Sequence, residues 1–135
     1  MAKSKQNKSN SYEGRQTHIR RLKTPKIDVW KNQYSDREYT VHLEVPEFTC
    51  ICPKTGLPDF AVIHVSYGPD KTCLELKSLK YYFIFYRDVG IFHEHLVNKI
   101  LADIVKACDP RWATVKGVVN SRGGIATSVT AEYRR

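Results

Sequence analysis

Residues 92–108 narrow most sharply what this chain can fold into. Phe92, Leu96, Ile100 and Ile104, joined by Val97, Leu101 and Val105, recur at helical spacing and make a broad apolar stripe. Such a stripe must be covered by another layer of structure. Asp109-Pro110 stops the pattern. Just upstream, residues 74–88 have helical length, with Leu76, Leu79, Phe83 and Tyr86 on one face, and Val89-Gly90 separates the two segments. The flanks change period. Residues 39–49 alternate Tyr39, Val41, Leu43 and Val45 against Thr40, His42 and Glu44, with Pro46 marking a strand end, a bulge or an edge position. Residues 60–67, 112–119 and 125–133 read as further strands, and Asn120-Ser121-Arg122-Gly123-Gly124 joins the last two as a hairpin loop. Residues 26–35 show no clear period, and Trp30 there is expected only to anchor the segment. The order β-β-α-α-β-β predicts an α+β domain, four antiparallel strands with two helices on one face. Two sheet edges are left over, and exposed edges invite pairing with other chains. An oligomer is expected.

Between the first two strands lies Thr49-Cys50-Ile51-Cys52-Pro53-Lys54-Thr55-Gly56-Leu57-Pro58-Asp59-Phe60, broken by two prolines and a glycine. A loop on a rigid scaffold is where function tends to sit. This one holds a thiol, Cys52, and a carboxylate, Asp59, seven residues apart. A thiol becomes a nucleophile when its pKa is lowered or a base stands nearby, and a carboxyl can serve as that base. The plain alternatives are a buried free cysteine and an Asp that makes a turn.

Charge is unevenly placed. The net charge is +8, but residues 1–26 hold eight Lys or Arg and one acid, so the other 109 residues carry only +1. That distribution predicts a basic, disordered tail over 1–26 and a folded domain over 27–135. The tail is expected to be a solubilising extension more than an RNA-binding arm. With 135 residues there is room for one domain. The longest apolar run, residues 81–86, is far too short to cross a bilayer, and residues 1–10 lack the apolar core of a secretory signal. A cytoplasmic location follows as an expectation. Cys50, Cys52, Cys73 and Cys108 are then expected to be reduced thiols.

Other constellations are ambiguous from residue type alone. Cys50-x-Cys52 with His64 lacks the second ligand pair of a structural zinc site. His93 and His95 stand about 200° apart on a helix, so they cannot readily share an ion. No metal is expected. Glu75 and Glu94 lie at helix starts, where capping and the macrodipole favour carboxylates. Each could equally accept paired hydrogen bonds from the amino-pyrimidinone edge of a guanine-like base. Lys77 and Lys80, three apart, and Arg122-Gly123-Gly124 suit phosphate, or are respectively a solvated face and a plain glycine turn. Tyr81, Tyr82, Phe83, Phe85 and Tyr86 are expected in the core rather than as a stacking platform.

Read together, these residues resemble a known family. Glu75-Leu76-Lys77-Ser78-Leu79-Lys80-Tyr81-Tyr82 agrees at all eight positions with the signature of the NADPH-dependent 7-cyano-7-deazaguanine reductases (QueF). Cys52-Pro53-x-Thr55-Gly56-x-Pro58-Asp59-Phe60 is similar to the nucleophile loop of that family, and Phe92-His93-Glu94 and Arg122-Gly123-Gly124 complete the pattern over about residues 30–133. Leu76 stands where many members carry Ser, so a hydroxyl contact is absent there.

The resemblance implies a tunnelling fold whose subunits assemble as a homo-oligomer of two stacked rings, a decamer, with sites between subunits. The implied reaction is four-electron reduction of a nitrile to a primary amine in queuosine biosynthesis, a tRNA-modification pathway. NADPH would be the cofactor and 7-cyano-7-deazaguanine the substrate. Cys52 would form a covalent thioimide and Asp59 would relay protons, its carboxyl tuned by apolar neighbours such as Phe60. Glu94 would pair with the base edge, Leu74, Glu75 and Leu76 would line the base pocket, and His93 would close it. Lys77, Arg122 and Gly123 would contact NADPH at a site without the G-x-G-x-x-G fingerprint. Two rival readings are a zinc-dependent pterin-forming cyclohydrolase on the same fold and a basic RNA-binding module. The missing zinc-ligand cluster opposes the first, and the nearly neutral body opposes the second.

Overall fold

A computed structural model describes residues 12–135. Four long strands, β2 (Val41–Ile51), β3 (Pro58–Gly68), β5 (Trp112–Arg122) and β6 (Ile125–Arg134), form one antiparallel sheet in the order β2-β3-β5-β6. Helices α1 (Leu76–Phe85) and α2 (His93–Cys108) connect its two hairpins, with a short 3-10 turn, Tyr86–Asp88, between them. The apolar stripe of α2 is buried at Leu96, Val97, Ile100 and Ile104, against Ala61, Ile63, Val65, Ala113 and Val115 of the sheet. Gly117 of β5 lets α2 lie close: a methyl group there would stand 2.9 Å from Val97 Cγ2. Tyr82, Phe83 and Tyr86 join this core, and Tyr81 is exposed. Among the described residues no helix is long and apolar enough to cross a membrane.

Two features depart from the pattern read in the sequence. Three-residue strands β1 (Val29–Lys31) and β4 (Thr72–Leu74) form a second, two-stranded sheet, too short to leave a period. The Trp30 indole N–H donates to the Leu74 carbonyl at 3.2 Å, and the Glu75 amide to the Asp28 carbonyl, fixing the start of α1. Residues 12–26, placed by their charge in a disordered tail, instead include a 3-10 helix, Tyr12–Arg21, with Ile19 buried in the core and Leu22 packed against it. Two apolar residues suffice to dock a segment whose composition is otherwise polar. Residues 1–11 of that expected tail lie outside the described residues.

A feature left open by the sequence sets the site. Of the positions open to Pro46, the structure has the bulge on an edge strand: two residues, Pro46 and Glu47, fall between register pairs Val45↔Ile63 and Phe48↔Ala61 opposite a single partner residue. An edge-strand bulge leaves no ladder bond for the missing proline N–H to make. A strand alternates faces with period two, so the extra residue switches which positions look inward. Upstream, the helix-facing positions are Val41, Leu43 and Val45; downstream they are Phe48 and Cys50, both buried. A matching irregularity on β5 separates Val119↔Thr127 from Arg122↔Ile125 and turns Arg122 towards the same face.

Candidate active site

Asp59 lies on the core-facing side of β3, directly across from Cys50 on β2, and is buried. Its carboxylate is held at both oxygens. The His93 Nε2 atom, from the first turn of α2, lies 2.9 Å from Oδ2, and the Arg122 guanidinium donates to Oδ1 at 2.5 Å. Each element thus contributes one group to a single cluster: β3 the carboxylate, α2 the imidazole, β5 the guanidinium.

Cys52 closes the β2–β3 hairpin. Its amide donates to Leu57 O at 2.8 Å and its carbonyl accepts from the Gly56 amide at 2.9 Å. Gly56 takes φ of 70°, a left-handed conformation that favours glycine. The Cys52 thiol is half-buried. Burial opposes its ionisation, yet the Thr55 hydroxyl and the amides of Thr55 and Lys54 outweigh it and hold the thiol below its ordinary value, against the repelling charge of Asp59. The Leu57 amide donates to Thr55 Oγ1, which leaves the hydroxyl proton for sulfur. The neighbouring thiol behaves oppositely: burial, then the Asp59 charge, push Cys50 up to about 12. Cys50 therefore stays protonated at neutral pH, and Cys52 is the reactive member of the pair. Accordingly, iodoacetamide at pH 7 should alkylate Cys52 and leave Cys50 unmodified. In Thr55→Val the Cys52 rate at pH 7 should fall several-fold and its pH profile move to higher pH. A stopped-flow alkylation series with mass mapping checks both, and an unchanged profile would remove Thr55 from the activation of sulfur.

The other expected site residues divide into those joined to this cluster and those apart from it. His93 is joined to it as the partner of Asp59. Glu94 follows it, exposed in the first turn of α2, and its carboxylate has no partner among the described residues. Phe60 does not tune Asp59. It is 52% exposed on the opposite sheet face, because adjacent strand residues face opposite ways, and the carboxylate's partners are polar. Glu75 is the N-cap of α1, its carboxylate accepting from the Lys77 and Ser78 amides at 2.8 and 2.7 Å. The Ser78 amide, then that of Lys77, hold its carboxyl below the usual range. Leu74 is buried and Leu76 exposed. Lys77 and Lys80 are exposed on α1. Gly123 and Gly124 have φ of 57° and 80°, the conformations their turn requires. Arg122, read as a phosphate ligand, is engaged by Asp59.

A mixed set of donor atoms also meets here. Cys50 Sγ, an Asp59 oxygen and a His93 ring nitrogen lie within 4.8 Å of one another. Cys50 and His93 were weighed from spacing with other partners, whereas His64 stacks on His42 at 5.6 Å between rings, in the outward-facing set of its strand. Arg122 already places positive charge on the Asp59 carboxylate, which weakens the pull of this cluster on a cation. A cavity of about 1140 Å³ lies between the N-terminal 3-10 helix, α2 and β6, bordered by Arg20, His95, Asn98 and Glu132 among others, and neither Cys52 nor Asp59 lines it.

A thiol held below its ordinary pKa is the form in which cysteine acts as a nucleophile, and this fold carries one on the hairpin whose second strand bears the oriented carboxylate. Comparison with known proteins gives the family. A family model described as QueF-like protein matches residues 58–135. The NADPH-dependent 7-cyano-7-deazaguanine reductase of Elusimicrobium minutum is 56% identical over 113 residues, 84% of this chain and 85% of that one. The reductase of the same name from Chlorobaculum tepidum is 57% identical over 109 residues, 81% and 93% of the two chains. Among solved structures, the archaeosine synthase QueF-Like in its apo form matches with a TM-score of 0.65 and 26% identity, covering 69% of this chain and 91% of that one. The chain belongs to the QueF family of NADPH-dependent 7-cyano-7-deazaguanine reductases.

Proposed function

We propose that this chain reduces the nitrile of 7-cyano-7-deazaguanine to a primary amine, with two equivalents of NADPH. The observation that carries the reading is the Cys52 thiol, held below its ordinary pKa, on the hairpin whose second strand carries an Asp59 carboxylate fixed by His93 and Arg122. The high identity to reductases of that name supports it.

Cys52 sulfur adds to the nitrile carbon, and Asp59 takes the thiol proton and passes it to the nitrile nitrogen. One S–C and one N–H bond form as one C–N π bond breaks, giving a thioimide with no change in electron count. His93 and Arg122 hold the carboxylate in position for both transfers. Bound NADPH supplies a hydride for each of two reductions. After the first, the C–S bond breaks and Cys52 leaves as thiolate, a role its lowered pKa favours; the second proton on nitrogen and the one that restores the thiol come from water, relayed by Asp59. Glu94, exposed and unpaired among the described residues, accepts from the base edge. Leu74, Glu75 and Leu76 line the base pocket, Glu75 holding the α1 start rigid by its cap.

The residues present fit a polyanionic dinucleotide. Lys77 and Lys80 have no ion-pair partner among the described residues, and Gly123 leaves its backbone open, with nothing within 4 Å of where a Cβ would stand. Arg122, its side chain 47% exposed, would join them.

A second copy completes the site in this reading. Strands β2 and β6 are the outer strands of the sheet, and a ring that pairs one with the other satisfies both edges. Two such rings, stacked, make the decamer. The test is stoichiometry. Purified protein with substrate and NADPH should oxidise two NADPH per primary amine released. Loss of the nitrile without NADPH oxidation, as in amidine formation with ammonia, would overturn the reading.

A further inference from the structure

We propose that Gln16 is a positioning residue of this site, its side-chain amide clamping the backbone that carries His93 and Glu94. The inference rests on the reductase reading and adds to it a residue from the N-terminal segment. Residues 89–91 run alongside the end of β2: the Ile51 amide donates to Val89 O at 2.9 Å, and the Ile91 amide donates to Ile51 O at 3.1 Å. Ile51 immediately precedes Cys52, so this contact ties the thiol hairpin to the segment that opens α2. Gln16 holds the same segment by other groups. Its Nε2 donates to Gly90 O at 2.8 Å, and its Oε1 accepts from the Phe92 amide at 3.2 Å. One side chain thus serves as a peptide group would, satisfying a carbonyl and an amide two residues apart. The same Oε1 lies 3.2 Å from His95 Nδ1, one turn into α2.

The Phe92 amide is at the N-cap of α2, and Phe92 offers no capping side chain of its own. His93 and Glu94 follow directly. Any slack at residues 90–92 therefore moves both the imidazole on Asp59 and the carboxylate assigned to the base. The 3-10 helix that carries Gln16 also reaches the other half of the site, where Glu13 and Lys54 form an ion pair at 2.7 Å, two residues beyond Cys52. That pair is exposed and contributes little alone. Gln16 works at backbone groups, where loss of both bonds leaves a carbonyl and an amide to find other partners.

The test compares wild type with Gln16→Met, which keeps length and removes both bonds, and with Ile19→Ala, which weakens docking of the same helix without touching the amide. For Gln16→Met the KM for 7-cyano-7-deazaguanine should rise about tenfold, with the KM for NADPH within about twofold and the melting temperature unchanged. Gln16→Glu, which keeps the acceptor for the Phe92 amide, should recover part of the loss. An unchanged nitrile KM in Gln16→Met overturns the proposal. So does a loss shared by both substrates and matched by Ile19→Ala, since that is undocking of the helix. Amide hydrogen exchange over residues 89–95, without substrate, should be faster in Gln16→Met than in wild type. This reading needs no catalysis, so a wild type that fails to reduce the nitrile would sink the proposed function and leave the clamp to be judged by exchange alone.

Discussion

Cys52→Ala should form no covalent adduct with 7-cyano-7-deazaguanine and should lose turnover by more than about a thousandfold, the scale on which a missing nucleophile is felt. The loss is expected to be near complete because the second thiol on the strand cannot substitute. Cys50 is buried and pushed up to about 12, so almost none of it is thiolate at neutral pH, whereas Cys52 sits at the hairpin mouth with donors around its sulfur. Intact-mass analysis without NADPH should show wild type gaining one substrate mass and Cys52→Ala gaining none. Cys50→Ala should keep the adduct. An adduct that survives in Cys52→Ala would transfer the chemistry to another nucleophile, and saturating substrate that leaves wild type unmodified would remove the thioimide altogether.

Asp59→Asn should lower the rate of adduct formation by about 10²- to 10⁴-fold, the usual contribution of a positioned acid-base group. The side chain keeps its shape, but an amide cannot take the thiol proton, and its NH2 would face either the His93 or the Arg122 donor. The same substitution should act on simple alkylation with the opposite sign. The Asp59 charge raises the Cys52 pKa, so removing it should leave more thiolate at pH 7 and make iodoacetamide react as fast as in wild type or faster. Slower reduction with undiminished alkylation identifies Asp59 as the proton relay. Parallel loss of both rates would instead make it a group that merely activates sulfur, and parallel retention would remove it from the reaction.

Much of this was legible in the residues. The α2 stripe and the alternating strands gave element order because burial imposes a period, 3.6 for a helix and two for a strand, on long segments. Cys52, Asp59, His93 and Arg122 were each singled out, but not the bonds among them. Those depend on two bulges and on where the first turn of α2 comes to rest, and neither leaves a period. Phe60 was misread as a neighbour of Asp59 because adjacency in sequence means opposition across a strand. Strands β1 and β4 escaped because three residues cannot show alternation. Gln16 and Thr55 had no signal of their own: a lone amide in a basic segment and a turn threonine become informative only once their acceptors and donors are in place. Glu75 kept two readings, and its cap geometry is compatible with a rigid wall for the base pocket.

The bulge at Pro46 and Glu47 makes the site a matter of counting. Residues 46–49 separate Val45 from Cys50, and both still face inward because the bulge sets two of those residues against a single partner. Glu47 is exposed, and substitution there leaves the count intact. Removing one of the two bulged residues leaves a count that a regular ladder accommodates, with Cys50 still inward and opposite Asp59, whereas adding one would send Cys50 to the outer face unless a second bulge formed. The constraint on this stretch therefore falls on insertion, since the one extra residue a bulge absorbs is already present. A residue added there is a stricter probe of the site than one removed or exchanged.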